Sequence, residues 1–293
     1  MTAILEMRGV TKMYGRAAAI EDVNFSLIKG EVHAILGENG AGKSTLTKMM
    51  AGVVQPTSGT IQFDGKEIHL RTPAEAVRSG IAMVFQETSL VPSMTVAQNL
   101  FLGNEKFFNR IRGVNIAAQQ FMQSLSFDVD PTLQVSALGA AKKQMVEIAR
   151  AMLLEARVIV FDEPTATLTP EEKRHFFELV ATLKDHGVSV IFISHALEEA
   201  LQISDRITIL RDGRRVVTGD TKDFDRDRII QAMVGRELSQ ELYGTRKRHI
   251  RPAGERILSV ENLRVGSVVK NNSFSVFKGQ VTGVFGLVGS GRT

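Results

Sequence analysis

The chain has 293 residues, 43% hydrophobic and 23% charged, the composition of a globular protein with one large domain or two modest ones. It lacks cysteine, which excludes disulfide frameworks, thiolate metal sites and thiol nucleophiles. The net charge of +4 reads as a solvated excess of Lys and Arg rather than a nucleic-acid surface, and neither a secretory segment nor an apolar run of the ~20 residues needed to span a membrane is present.

In chain order, Ile4–Val10 predicts a strand, with Tyr14 in a Gly-containing turn after it. Val23–Ile28 alternates apolar and polar residues, a half-buried strand that turns at Lys29-Gly30. Val32–Leu36 is apolar apart from His33 and short enough for a buried strand. Gly37-Glu38-Asn39-Gly40-Ala41-Gly42-Lys43-Ser44-Thr45 follows, matching G-x-x-x-x-G-K-[ST], and then a run without Gly or Pro to Ala51 that suits a helix. Strand, glycine loop and helix together form a phosphate cradle. The glycines let successive N–H groups approach phosphate oxygens, and the helix N-terminus adds partial positive charge. Lys43 is expected to reach the β- and γ-phosphates, and Ser44 to hold Mg²⁺ through its hydroxyl.

Thr60–Phe63 with Asp64-Gly65 predicts a strand and tight turn, and Thr72-Pro73 a capped helix start. Ile81–Phe85 predicts a buried strand ending at Gln86. Between about 87 and 157, apolar residues recur at helical spacing over Val96–Phe101, Ile116–Phe127 and Met145–Leu154, a helical insert. Strands return at Val158–Phe161, Val188–Ile193 and Ile207–Leu210. Helices are expected at Glu171–Lys184 and Ala196–Leu201, and a hairpin at Asp212-Gly213. This alternation implies a largely parallel sheet. The strand ending in Asp162-Glu163 is expected beside the phosphate-loop strand, delivering Asp162 to Mg²⁺ and Glu163 to the attacking water as general base. The competing expectation is that the two carboxylates merely cap the turn at Pro164.

Residues 241–256 contain the basic, Pro-bearing run Arg246–Pro252, an exposed linker. The chain then repeats itself. Arg256-Ile257-Leu258 echoes Ala3-Ile4-Leu5, Phe274–Gly279 echoes Phe25–Gly30, and Gly286–Thr293 overlies Gly37–Ser44 with Arg292 in the place of Lys43. Because the sequence stops inside that second loop, a fragment of a chain with two such units is expected.

These motifs, in this order, resemble the ATP-binding subunits of ABC transporters. The resemblance implies an α/β P-loop ATPase core with a mostly parallel sheet, an N-terminal antiparallel β subdomain and a helical insert. The first ATPase domain would span 1–240 and the start of a second 257–293. It further implies that Tyr14 stacks on adenine, that Gln86 senses Mg²⁺ and the γ-phosphate, and that His195 contacts the γ-phosphate. Thr165–Thr169 would be the loop that signals across an ATPase dimer. The family's L-S-G-G-Q signature is replaced by Leu138-Gly139-Ala140-Ala141-Lys142. Gly139 lacks the serine hydroxyl, and Ala140 and Ala141 add Cβ atoms where glycines allow close approach.

Since ABC domains pair head to tail, the weak signature would face the second loop altered at Arg292, leaving one competent and one degenerate site. The duplicated chain, short linker, Gln144–Arg150 and the second loop's Gly-Arg-Thr are similar to bacterial monosaccharide importers. That likeness implies Mg-dependent ATP hydrolysis at the cytoplasmic face of the inner membrane, with permease subunits docking near Glu87–Leu102. An extracytoplasmic solute-binding protein would take part indirectly, a second ATPase domain or second copy would be the dimer partner, and no nucleic acid is implied. A soluble ABC ATPase acting on ribosomes or DNA is the alternative. It fits less well, because the linker is only about sixteen residues and no zinc-binding cysteines exist.

Overall fold

The structure is a computed structural model and describes residues 2–85, 89–102, 111–125, 127–166, 168–194, 196–235, 254–266 and 269–284. It divides into two compact units, Met1–Glu237 and Leu238–Thr293.

The first unit opens with strands β1 (Ala3–Tyr14) and β2 (Ala17–Ile28), joined with β4 (Ser58–Phe63) and β5 (Lys66–Glu67) in an antiparallel sheet ordered β2-β1-β4-β5. Tyr14 ends β1 instead of standing in the turn, which is Gly15-Arg16. Val23, Phe25 and Leu27 point inward, as their alternation predicts. A second sheet contains β3 (Val32–Leu36), β6 (Ile81–Val84), β7 (Val158–Asp162), β8 (Ser189–Ile193), β9 (Arg206–Arg211) and β10 (Arg214–Asp220), ordered β10-β9-β3-β8-β7-β6. Every pair is parallel except β9–β10, the hairpin at Asp212-Gly213.

Both faces of the central strands β3, β7 and β8 are covered, so these are predominantly apolar, whereas the edge strand β10 is more polar and more exposed. Ala34, Leu36, Phe161, Val190 and Phe192 face one core, and Ile35, Val158, Val160, Ile191 and Ile193 the other, following the two-residue period of a strand. The second core takes in β1, β2, β4 and helix α1 (Lys43–Met50). His33, the polar residue of β3, is fully buried. Its Nδ1 lies 3.1 Å from Glu31 Oε1 and its Nε2 2.7 Å from Thr208 Oγ1. Burial holds its pKa below the ordinary histidine value, against the pull of Glu31.

Helix α2 (Pro73–Arg78) starts where Thr72 accepts from Glu75 N. The insert contains α3 (Val96–Phe101), α4 (Ile111–Ser124) and α5 (Ala140–Leu153). Helix α5 begins five residues ahead of the expected Met145. Gly139 takes the extended conformation of an N-cap, and the first turn, Ala140-Ala141-Lys142-Lys143, contains no large apolar residue for periodicity to register. Helix α6 (Pro170–Asp185) has a full capping box: Thr169 Oγ1 accepts from Glu172 N, and Glu172 accepts from Thr169 N at 2.8 Å. Helix α7 (Leu197–Ile203) follows β8. Helix α8 (Arg226–Val234), not expected from periodicity, is bounded by Asp225 accepting from Arg228 N and by Gly235 at φ +73°.

The second unit contains the antiparallel pair β11 (Arg256–Val265) and β12 (Val269–Phe277). Its register reproduces that of β1–β2. Leu258 faces Val276 and Val260 faces Phe274, as Leu5 faces Leu27 and Met7 faces Phe25. Leu5 and Phe25 are buried, whereas Leu258 and Phe274 are exposed. The linker run Arg246–Pro252 and the loop Gly286–Thr293 lie outside the described residues.

Candidate functional site

The C-terminal ends of the parallel strands form one edge, and β3 stands at its topological switch point, with β8 on one side and β9 on the other. Such a crevice is where open α/β sheets bind ligands. The expected neighbour relation is corrected here: β7 does not lie beside β3, because β8 intervenes. The carboxylates still reach the loop. Ile35 and Asp162 are both level with Ile193, so β3 and β7 end at the same height roughly 10 Å apart, two strand spacings. Ser44, in the first turn of α1, reaches across that gap to Asp162, which also feels the charge of Lys43.

The loop needs its glycines at two points for steric reasons. A Cβ on Gly37 would collide with the Leu210 carbonyl of β9. Gly42 has φ +97°, and a Cβ there would lie 2.6 Å from Ala19 O and from Ile20 Cδ1. We expect Gly42→Ala to cost at least about 1–2 kcal/mol from the left-handed backbone alone. Urea denaturation measures it; an unchanged midpoint would contradict this geometry.

Lys43 is buried, and its Nζ folds back onto the loop, donating to Gly37 O at 2.8 Å and Glu38 O at 3.1 Å. Burial lowers its pKa, while Glu163 and Asp162 counteract this. Asp162 is pushed the other way: burial first and then Glu163 raise its pKa. Lys48, Lys43 and a hydrogen bond from Ser44 lower it. Ser44 thus donates to Asp162, a pair of hard oxygens suited to Mg²⁺. Among the described residues no group of three His, Asp or Glu forms a metal cage, so an ion here would draw its other ligands from phosphate and water. Glu163 has φ +50°, uncommon for a residue with a Cβ, and its N–H donates to Ile193 O at 3.1 Å. Gly37, Glu38, Asn39 and Glu163 line a cavity of about 530 Å³ with Met233 of α8. Gly40 lies exposed at φ +85°, Ala41 N–H donates to Glu38 O, and Thr45 is the third residue after the Gly42 cap. Tyr14 is exposed, with Lys12 Nζ 5.3 Å from its ring centre. Gln86 and His195 lie outside the described residues.

Two further carboxylates escaped the sequence reading. Glu147 of α5 is buried, and its Oε1 accepts from Ser89 N at 2.6 Å and Ser89 Oγ at 2.9 Å. Glu199 is buried at α7. A charged residue within a buried helical stripe was the available signal, but its partners were not. Burial raises the Glu147 pKa, outweighing Ser89 and Arg150. The folded state therefore holds this proton more tightly than the unfolded chain. Ionised Glu147 detracts from stability above its folded pKa, and the loss is recovered as pH falls through that value toward the ordinary 4.5. Glu147→Gln keeps the acceptor oxygen, so its denaturation midpoint should exceed wild type at pH 8, and the gap should close as pH falls to the ordinary 4.5.

A buried parallel strand running into a glycine loop, with a lysine and a strand-end carboxylate pair at the same edge, defines a P-loop nucleotide-binding protein. The sequence profile of the ABC transporter family matches residues 20–166. This chain belongs to that family. It is 45% identical over its whole length to a ribose import ATP-binding protein of Rubrobacter xylanophilus, of which it spans 58%. It is 42% identical over 99% of its length to a ribose import ATP-binding protein of Geobacillus kaustophilus, of which it spans 59%. A nucleotide-free ATP-binding cassette from an ABC transporter matches 83% of this chain and all of its own, with a TM-score of 0.69 and 25% identity. The α/β core with antiparallel β subdomain and helical insert is thus an ABC ATPase cassette, an ATP-binding fold.

Proposed function

We propose that this chain is the first ATPase domain, about residues 1–240, of a two-domain subunit that powers uptake of a sugar or related small solute. A linker would follow over 241–256, and a second domain would begin at 257. The reading draws support from the duplicated hairpin register and from the chain spanning only 58% of a relative named for ribose import.

The observation that carries it is the meeting of Lys43, Ser44, Asp162 and Glu163 at one sheet edge. ATP lies along Gly37–Thr45 with its phosphates toward the backbone N–H groups, and Lys43 turns from the Gly37 and Glu38 carbonyls to the β- and γ-oxygens. Tyr14 stacks on the base. Mg²⁺, when bound, neutralises charge on the β- and γ-phosphates. Ser44 and Asp162 would hold it with Gln86, Glu163 would take the proton of the attacking water, and His195 would steady the γ-phosphate. The elevated Asp162 pKa means protons compete with the metal as pH falls.

In the head-to-tail dimer, with a second domain or a second copy, Thr165–Thr169 reports across the interface. The chain sits peripherally at the cytoplasmic face of a bacterial inner membrane, where permease subunits dock near 87–102 and a solute-binding protein acts through them. No described helix is long and apolar enough to cross a membrane. Gly139 caps α5 without a side-chain hydrogen bond. It therefore offers no hydroxyl to a facing nucleotide, which favours one competent and one degenerate ATP site in the intact protein.

The test is equilibrium binding of a fluorescent ATP analogue to this chain. Lys43→Ala should weaken Mg-ATP binding about 10- to 150-fold, the loss of one charge-assisted hydrogen bond worth about 1.5–3 kcal/mol. Equal affinity of the two proteins would refute the site.

A further inference from the structure

Glu199 stands apart from the nucleotide loop and from β7, yet its buried carboxylate collects hydrogen bonds from three separate segments. Thr165 Oγ1, two residues beyond Glu163, donates to Oε2 at 2.5 Å. Ser194 Oγ, at the end of β8, reaches the same oxygen at 3.4 Å and also accepts from Ala196 N at 2.9 Å. From α6, Lys173 Nζ donates to Oε1 at 2.7 Å. The Glu199 side chain is only 10% exposed, so its charge depends on these partners.

We propose that Glu199 is a positioning residue for hydrolysis, tying the loop headed by Glu163 to the loop that leaves β8. The proposal rests on reading Glu163 as the general base. The two loops leave adjacent parallel strands, with Asp162 level with Ile193, and Glu163 N–H already bonds Ile193 O. Glu163 holds a backbone conformation that persists only where its surroundings impose it. The Thr165–Glu199 bond anchors the chain two residues further on, limiting how the base can swing. Ser194 on the same carboxylate oxygen makes a shift of one loop a shift of the other. Lys173 supplies the counter-charge and, through α6, fixes the carboxylate relative to the capping box at Thr169. Misplacing a reacting group by about 1 Å can lower a rate about 100-fold.

The experiment measures kcat and KM for ATP in the intact protein that carries this chain, Mg-ATP affinity, and amide hydrogen exchange at residues 163–166 and 194–196. Thr165→Val removes the hydroxyl at constant volume and leaves the Lys173–Glu199 pair standing. It and Glu199→Ala should lower kcat at least about 30-fold, with affinity held within about twofold and exchange rising in both loops together. Thr165→Ser, which restores the donor to Glu199 Oε2, should recover kcat to within about threefold of wild type. Wild-type kcat in Thr165→Val overturns the proposal. So does a parallel loss of kcat, affinity and unfolding midpoint, the mark of a general structural role, or exchange rising in one loop alone. A Glu163→Gln control separates the two readings. If that variant is inactive while Thr165→Val is fully active, only the Glu199 proposal fails. If Glu163→Gln turns over like wild type, both fail.

Discussion

Glu163→Gln is expected to lower ATP turnover of the intact protein by about 10²- to 10⁴-fold, the usual contribution of a positioned general base. Mg-ATP affinity should stay within about twofold of wild type. The amide has the size of the carboxylate, so the φ +50° backbone and its bond to Ile193 O are retained while the basic oxygen is lost. Asp162 would also lose a neighbour that raises its pKa, and metal binding should therefore persist to slightly lower pH than in wild type. Steady-state phosphate release with parallel nucleotide binding measures both quantities. Turnover near wild type would mean that the proton leaves by another route. It would also remove the reason for treating the site of Lys43 and Asp162 as the competent one.

The largest stability effect is expected at Phe161. It is fully buried in β7, level with Phe192 of β8 and Val84 of β6, and makes an edge contact with Phe176 of α6 at 5.2 Å between ring centres. Phe161→Ala removes a ring from the layer that seats α6 on the sheet. Substitutions of this kind cost about 3–5 kcal/mol, transfer energy plus the cavity left behind. Urea unfolding should show the loss as a lower midpoint at unchanged slope. A change below about 1 kcal/mol would mean that α6 closes over the gap, which the close packing of protein interiors argues against. Because Asp162 is the next residue, weaker Mg-ATP binding should accompany the loss of stability.

Much of this chemistry was legible before any fold was known. The run Val32–Leu36 followed by Gly37–Thr45 carries its own geometry, since a short apolar strand, glycines and a helix start are each specified within a few residues. Thr72-Pro73 marked its helix for the same local reason. The halves of the repeat, Ile4-Leu5 and Ile257-Leu258, shared a pattern, and their hairpins share a register. Family membership followed from such local signals in the right order.

What only the tertiary structure decided depends on contacts between distant residues. The placing of β8 between β3 and β7 is a matter of sheet packing, to which strand sequence is blind, since every buried parallel strand is similarly apolar. Helix α5 begins at Ala140 because Gly139 takes the N-cap conformation, and periodicity responds only to the buried stripe further along. Glu147 and Glu199 looked like ordinary helical carboxylates. Their partners Ser89 and Thr165 are 58 and 34 residues away, and nothing local names them. The nucleotide loop is written in neighbouring residues. The hydrogen bonds that steady the loops around it exist only after distant segments of the chain have packed together.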